Sequence, residues 1–273
     1  MIVIKNLNFS YRNKKILKNF NLNISMGEWV TIIGNNGSGK TTLARILMGL
    51  LQPNEGKIFI DGKEFNEDSL QEMRSYIGMV FQNPDYQFVG SNVLNDIVFG
   101  LENQLLSREE MQKKLDKYTV MLNIQDLLDK NPQNLSGGQK QKVAIASVLA
   151  MEPKIIILDE PTAFLDPQGA QEIFDIIYNI KKNTDKILII ITHDLNLSSK
   201  SDKILFLEEG NLVKYSPPVE LFSDNNFCEK YFNYLPLALK IHFALERESD
   251  IKKINKDFFY KLKGCLWEYI FEM

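Results

Sequence analysis

Gly34-Asn35-Asn36-Gly37-Ser38-Gly39-Lys40-Thr41 decides the reading of this chain. It follows the apolar run Trp29-Val30-Thr31-Ile32-Ile33 and opens a segment read as a helix to about Gly49. Strand, glycine-rich turn and helix, in that order, are the setting in which such a loop binds phosphate. Gly34, Gly37 and Gly39 let the backbone curl with its N–H groups pointing inward, and the helix N-terminus adds a partial positive charge. Lys40 reaches the β- and γ-phosphates of a triphosphate, and the Thr41 hydroxyl takes Mg²⁺. With glycine at ~7% of average sequence, a chance match in a chain this long is on the order of 1 in 100.

Outward from the loop, Ile2 to Ile4, Leu22 to Ile24, Lys57 to Asp61 and Ile77 to Phe81 read as strands. Asn13-Lys14-Lys15 and Met26-Gly27-Glu28 are turns, and Asp61-Gly62 is a hairpin signal. Asn92 to Lys130 reads as polar and helical, with Met111, Leu115, Tyr118 and Leu122 at helical spacing. A further helix runs from Ser136 to about Met151. Ile155 to Leu158 and Ile187 to Ile191 are aliphatic runs without alternation, which suits strands buried on both faces of a parallel sheet. Gln168 to Lys181 is the crossover between them. Ile204 to Leu207 and Leu212 to Tyr215 form a hairpin about Glu209-Gly210-Asn211, and Val219 to Phe222 is a short helix. The fold class is therefore α/β with a parallel-sheet core.

Several side chains are expected beside the loop. Asp159 and Glu160 end the strand Ile155 to Leu158. Asp159 suits Mg²⁺ and Glu160 suits the deprotonation of an attacking water. Adjacent carboxylates repel, so one of the pair is expected to bind its proton more tightly than usual. His193 follows the strand Ile187 to Thr192, at the end where open α/β sheets place ligands, and can donate to the γ-phosphate. Gln82 ends its own strand with a neutral donor and acceptor. Tyr11 lies ahead of the loop and either stacks on a base or is a plain turn aromatic. Far away, Leu135-Ser136-Gly137-Gly138-Gln139 begins a helix. Ser136 can cap that helix, which is the bland reading. The two glycines leave the helix start bare, so that an anion can approach it closely. One triphosphate has no obvious need for two such devices unless the site is shared with a second copy.

Composition bounds the partners. The chain has 273 residues, a net charge of -3 and 44% apolar residues, which gives no global case for nucleic acid. The longest aliphatic run is far short of a bilayer span, and Met1 to Lys15 lacks a signal pattern, so a cytoplasmic protein is expected. Cys228 and Cys265 have no metal-like spacing and read as packing thiols.

Taken in order over Met1 to about Phe222, these segments resemble an ATP-binding cassette (ABC) ATPase, with Leu135 to Gln139 matching the signature of that superfamily. The resemblance implies a P-loop nucleotide-binding domain over 1-222, with an antiparallel β subdomain and an α-helical signature subdomain at about 83-152. A helical C-terminal extension at 223-273 follows. It implies an ATP site of Tyr11, Asn35, Asn36, Gly37, Ser38, Gly39, Lys40, Thr41 and Thr42. Thr41, Gln82 and Asp159 would hold Mg²⁺, and Glu160, Gln82 and His193 would act in hydrolysis. Asp166 falls in the D-loop. Ser136, Gly137, Gly138 and Gln139 would face ATP held by a partner cassette, because two such domains pack head to tail.

Phe81 to Val89 and Phe99 to Asn103 further resemble the ATPases of energy-coupling factor (ECF) transporters, which drive uptake of vitamins or of cobalt and nickel ions. That implies a peripheral subunit on the cytoplasmic face of the cell membrane. Its implied partners are a second ATPase, identical or paralogous, a transmembrane coupling subunit and a substrate-binding membrane subunit. Phe164 and Lys142 depart mildly from the common pattern. Ile251, Ile254, Phe258, Leu262, Cys265 and Tyr269 recur at helical spacing and read as a helix packed on its own cassette or as a dimer contact. An ATPase of another importer class is the near alternative. A soluble ABC protein acting on nucleic acid is the far one; such proteins usually carry two cassettes or a long coiled coil, and this sequence has neither.

Overall fold

In the computed structural model, which describes residues 1–247, Gly264, Cys265 and Trp267, ten strands form two sheets. The strands are β1 (Ile2–Tyr11), β2 (Lys14–Ile24), β3 (Trp29–Gly34), β4 (Glu55–Ile60), β5 (Lys63–Glu64), β6 (Ile77–Val80), β7 (Ile155–Asp159), β8 (Ile187–Ile191), β9 (Lys203–Glu208) and β10 (Asn211–Ser216). The smaller sheet, in the order β2-β1-β4-β5, is antiparallel. The larger runs β10-β9-β3-β8-β7-β6 and is parallel apart from β10 at its edge. Parallel pairing brings the C-terminal ends of β3, β6, β7 and β8 to one side of the sheet, so the glycine loop, Gln82, the acid pair and His193 all emerge there.

Helices α1 (Lys40–Leu47) and α2 (Leu70–Tyr76) accompany the first half of the chain. Helices α3 (Val93–Glu102), α4 (Arg108–Leu122) and α5 (Gly137–Ala150) form the helical region, with α5 touching both of the others. Then come α6 (Pro167–Asn183), α7 (Leu195–Ser199), α8 (Pro218–Ser223), α9 (Asn225–Lys230) and α10 (Leu237–Arg247). The central strands alternate their side chains between two cores, as strand geometry requires. Ile155, Ile157, Ile187, Ile189 and Ile191 face α1 and the antiparallel sheet. Ile156, Leu158, Leu188 and Ile190 face α5 and α6.

The first two strands run further than their composition suggests. Asparagines at 6, 8, 19 and 21 hide the alternation, and the ladder is irregular at these points. Asn6 and Asn19 take positive φ, of 51° and 45°. Side-chain amides fill the gaps: the Asn6 N–H donates to Asn21 Oδ1 at 2.9 Å and the Asn19 N–H to Asn8 Oδ1 at 2.9 Å. The turn expected at Asn13-Lys14-Lys15 shrinks to Arg12-Asn13, because Lys14 already pairs with Tyr11.

A third core joins the sheet to the segment beyond it. Ile33, Ile204 and Phe206 pack with Phe222, Phe227, Tyr231, Leu235, Leu239 and Phe243. Packing is thus continuous across residues 222 and 223. Cys228 is buried in this core, and burial pushes its thiol up to about 11, which suits a packing role. Of the helical pattern expected at 251 to 269, only Cys265 falls among the described residues, and it is exposed. No helix among the described residues is long and apolar enough to cross a membrane.

Candidate nucleotide site

The glycine loop needs its glycines. Gly34 has φ +152° and a Cβ there would lie 2.1 Å from the carbonyl oxygen of Leu207. Gly39 has φ +110°, with Leu17 and Ile16 closing on the same side. The Ser38 N–H donates to the Asn35 carbonyl at 3.0 Å and closes the turn. A cleft of about 610 Å³ opens above it, lined by Asn36, Gly37, Gly39, Lys40, Thr41 and Thr42 from the loop and α1. Tyr11, Gln82, Asp159, Glu160 and His193 line the same cleft from four other elements. Asn35 and Ser38 are not among the lining residues. Asn35 is turned to a tyrosine described below, and the Ser38 hydroxyl is buried.

Lys40 is buried and donates to the carbonyls of Gly34 at 2.7 Å and Asn35 at 3.0 Å. Burial lowers its ammonium pKa from the ordinary value, against the charges of Glu160 and Asp159. Burial pushes the Asp159 carboxyl above its usual range, and the charge of Glu160 adds to this; Lys40 and a hydrogen bond with Thr41 oppose it. The upward shift on Asp159 thus comes first from burial, and the repulsion expected of an adjacent acid is a secondary cause. Glu160 itself sits at φ 49°, a left-handed conformation that costs a non-glycine residue energy and tends to persist where function needs it. Its N–H donates to the Ile191 carbonyl at 2.8 Å. Its carboxylate accepts from the His193 N–H at 3.3 Å and lies 3.4 Å from His193 Nε2. The acid and the histidine are therefore already neighbours.

The donor set suits a hard cation. Thr41, Gln82 and Asp159 offer oxygen ligands to the same cleft, with Thr41 and Asp159 within hydrogen-bond reach of each other. Mg²⁺ characteristically takes one or two carboxylates together with substrate phosphates, rather than an all-protein cage.

Ser136, Gly137, Gly138 and Gln139 do not line this cleft. They line another, of about 520 Å³, together with Asp166, Phe164 and Gly169. Ser136 does cap α5: its Oγ accepts from the Gln139 N–H at 3.3 Å, and the Gln139 side chain accepts from the Ser136 N–H at 3.1 Å. The two glycines remain unexplained by this cap. Neither has positive φ, a Cβ on Gly138 would meet nothing within 4 Å, and one on Gly137 would make only ordinary contacts at 3.5 Å. Asp166 caps α6 by accepting from the Gly169 N–H at 2.8 Å.

Sequence reasoning overlooked Lys14, which lines the nucleotide cleft directly opposite Tyr11 across the hairpin. The two-residue turn was the signal that could have found it. It also overlooked the 2.7 Å ion pair of Lys140 with Asp85, which ties the start of α5 to the segment after Gln82. Lys142 pairs with Glu172 at 2.6 Å.

The ABC transporter family model matches residues 17–163. Over 270 residues the chain is 53% identical to the energy-coupling factor transporter ATP-binding protein EcfA of Aster yellows witches'-broom phytoplasma (strain AYWB), covering 98% of each chain. Among solved structures, cbiO1 from Clostridium perfringens, described as part of the ABC transporter complex cbiONQ, superposes with a TM-score of 0.76 at 37% identity, covering 88% of this chain and 97% of that one. The ATP-binding cassette MJ0796, solved as a dimer bound to ADP and phosphate, gives 0.72 at 31% identity over 80% of this chain and 99% of its own. The chain belongs to the ABC transporter family, among the ATP-binding proteins of its energy-coupling factor transporters.

Proposed function

We propose that this chain is one of two ATPase halves that drive an ECF importer for vitamins or transition-metal ions, working from the cytoplasmic face of the cell membrane. The second half is a copy or a paralogue. A transmembrane coupling subunit and a substrate-binding membrane subunit complete the assembly. The observation that carries the reading is the pair Gly137 and Gly138. Glycine is a poorer helix former than alanine, and among the described residues nothing crowds a side chain at either position. The demand for glycine therefore comes from a body that approaches the start of α5 from outside, and the partner's triphosphate fits.

In this reading Tyr11 stacks on adenine, and the backbone from Asn35 to Thr42 cradles the phosphates. Lys40 leaves the two loop carbonyls for the β- and γ-phosphates. Thr41, Gln82 and Asp159 hold Mg²⁺, which when bound offsets phosphate charge. Glu160 takes a proton from the attacking water, and His193 beside it donates to the γ-phosphate. Ser136, Gly137, Gly138 and Gln139 of the partner close over that phosphate, with Asp166 at the seam. ATP thereby joins the two chains, and hydrolysis lets them part. Residues 1-222 serve as the cassette and the extension as a contact between the halves.

Affinity isolation of the full chain from detergent-solubilised membranes tests this. Membrane-spanning proteins should accompany it and raise its ATP hydrolysis. Recovery with RNA or DNA instead, lost on raising the salt, would reject the reading.

A further inference from the structure

We infer that Tyr234, outside the family motifs, is a positioning residue for the phosphate loop. The inference rests on the ATP reading of the cleft. Tyr234 ends a short turn, Phe232–Tyr234, between α9 and α10. Its ring stands edge-on to Phe206 with centroids 5.2 Å apart. Phe206 is fully buried and lies opposite Ile33 in the β9–β3 register, one residue before the loop begins. The ring is thus seated on the strand beside the one that carries the loop. From that seat its hydroxyl donates to Asn35 Oδ1. Just upstream, the Tyr231 hydroxyl donates to Glu208 at the end of β9 at 2.8 Å, so the segment grips the sheet edge at a second point.

Asn35 matters because its carbonyl accepts both the Ser38 N–H that closes the turn and the Lys40 ammonium, each at 3.0 Å. When Lys40 swings to a phosphate, Asn35 loses one of these holds. The bond from Tyr234 goes to the Asn35 side chain rather than its carbonyl, does not involve Lys40, and persists through the swing. It keeps the loop in its anion-ready shape while the lysine changes partners. Coupling of this kind is reciprocal, so nucleotide must in turn tighten the docking of residues 231–235.

Tyr234→Phe tests this, because it keeps the ring and removes only the hydroxyl. Titration of the full chain with a fluorescent ATP analogue should show affinity lower by roughly threefold to tenfold. The turnover at saturating ATP should stay close to wild type, since the bond acts on binding rather than on chemistry. Asn35→Ala should weaken binding similarly, and the double variant should be no worse than the weaker single one. ATP should slow hydrogen exchange at 231–235 in wild type and fail to do so in Tyr234→Phe. Unchanged affinity in Tyr234→Phe, or fully additive losses in the double variant, would overturn the inference. Lys40→Ala serves as the separate control: if it binds the analogue like wild type, the ATP reading of the cleft itself is wrong.

Discussion

Two defective chains should repair each other. Lys40→Ala disables the cradle of its own chain, while Ser136→Asp disables the closing loop that its chain lends to the other. Aspartate is chosen because it caps helices as well as serine does, so α5 keeps the bond from Gln139 N–H that Ser136 now accepts. What changes is a charge facing the partner's terminal phosphate. A unit charge about 4 Å from a phosphate charge costs about 4 kcal/mol at an effective dielectric constant near 20. That is roughly three orders of magnitude in rate. Each variant alone is therefore silent. In an equal mixture about half of the dimers are mixed, and each of these holds one intact cleft of two, which gives about a quarter of wild-type hydrolysis. The assay is phosphate release after co-incubation, with the two chains carrying different tags so that the mixed species can be isolated. Where the second half is a copy, a mixture as silent as its parents, or Ser136→Asp alone at full rate, would refute the shared cleft. The separation of Ser136 from the Lys40 cleft within one chain is the reason for expecting recovery.

Two further outcomes follow from individual carboxylates. Glu160→Gln should keep the shape at the end of β7 and lose the proton acceptor, lowering turnover by roughly 10² to 10⁴ while ATP still binds; light scattering should find a persistent ATP-loaded dimer, and a wild-type rate would remove Glu160 from the role of base. Glu152 concerns stability instead. Burial raises its carboxyl, but hydrogen bonds from Lys114, Lys117 and Tyr118 outweigh that and bring it to about 2. An acid depressed in the fold stabilises it above the unfolded value near 4.5, and that contribution fades as the pH falls toward 2. The side chain is 38% exposed, so solvent screening reduces the gain to about 1 kcal/mol. Urea denaturation should find Glu152→Gln less stable by that amount at pH 7 and the gap narrowing below pH 4.5; a gap that widens on acidification would contradict the sign.

Much of the site was legible because it is written locally. The glycine loop, the acid pair after Leu158 and the aliphatic runs Ile155 to Leu158 and Ile187 to Ile191 each declare a backbone geometry within a few residues, and parallel pairing then gathers their ends. Ser136 was legible only in part, since a capping serine and a phosphate-facing one look alike; the structure shows the cap, with open space beside Gly138. The long β1–β2 hairpin was missed because its asparagines replace ladder bonds with side-chain amides, which leaves no alternation to read. The bond between Tyr234 and Asn35 spans 199 positions and no periodicity announces it.

The third core also governs how the molecule can be divided. A chain ending after Phe222 would retain every residue that lines the nucleotide cleft, yet it would lose Tyr234, and Ile33, Ile204 and Phe206 would lose much of their cover. An uncovered aromatic and aliphatic strip beside a glycine-rich turn invites aggregation. Trimming for expression should therefore spare Phe243 and also Trp267, which packs against the same cluster.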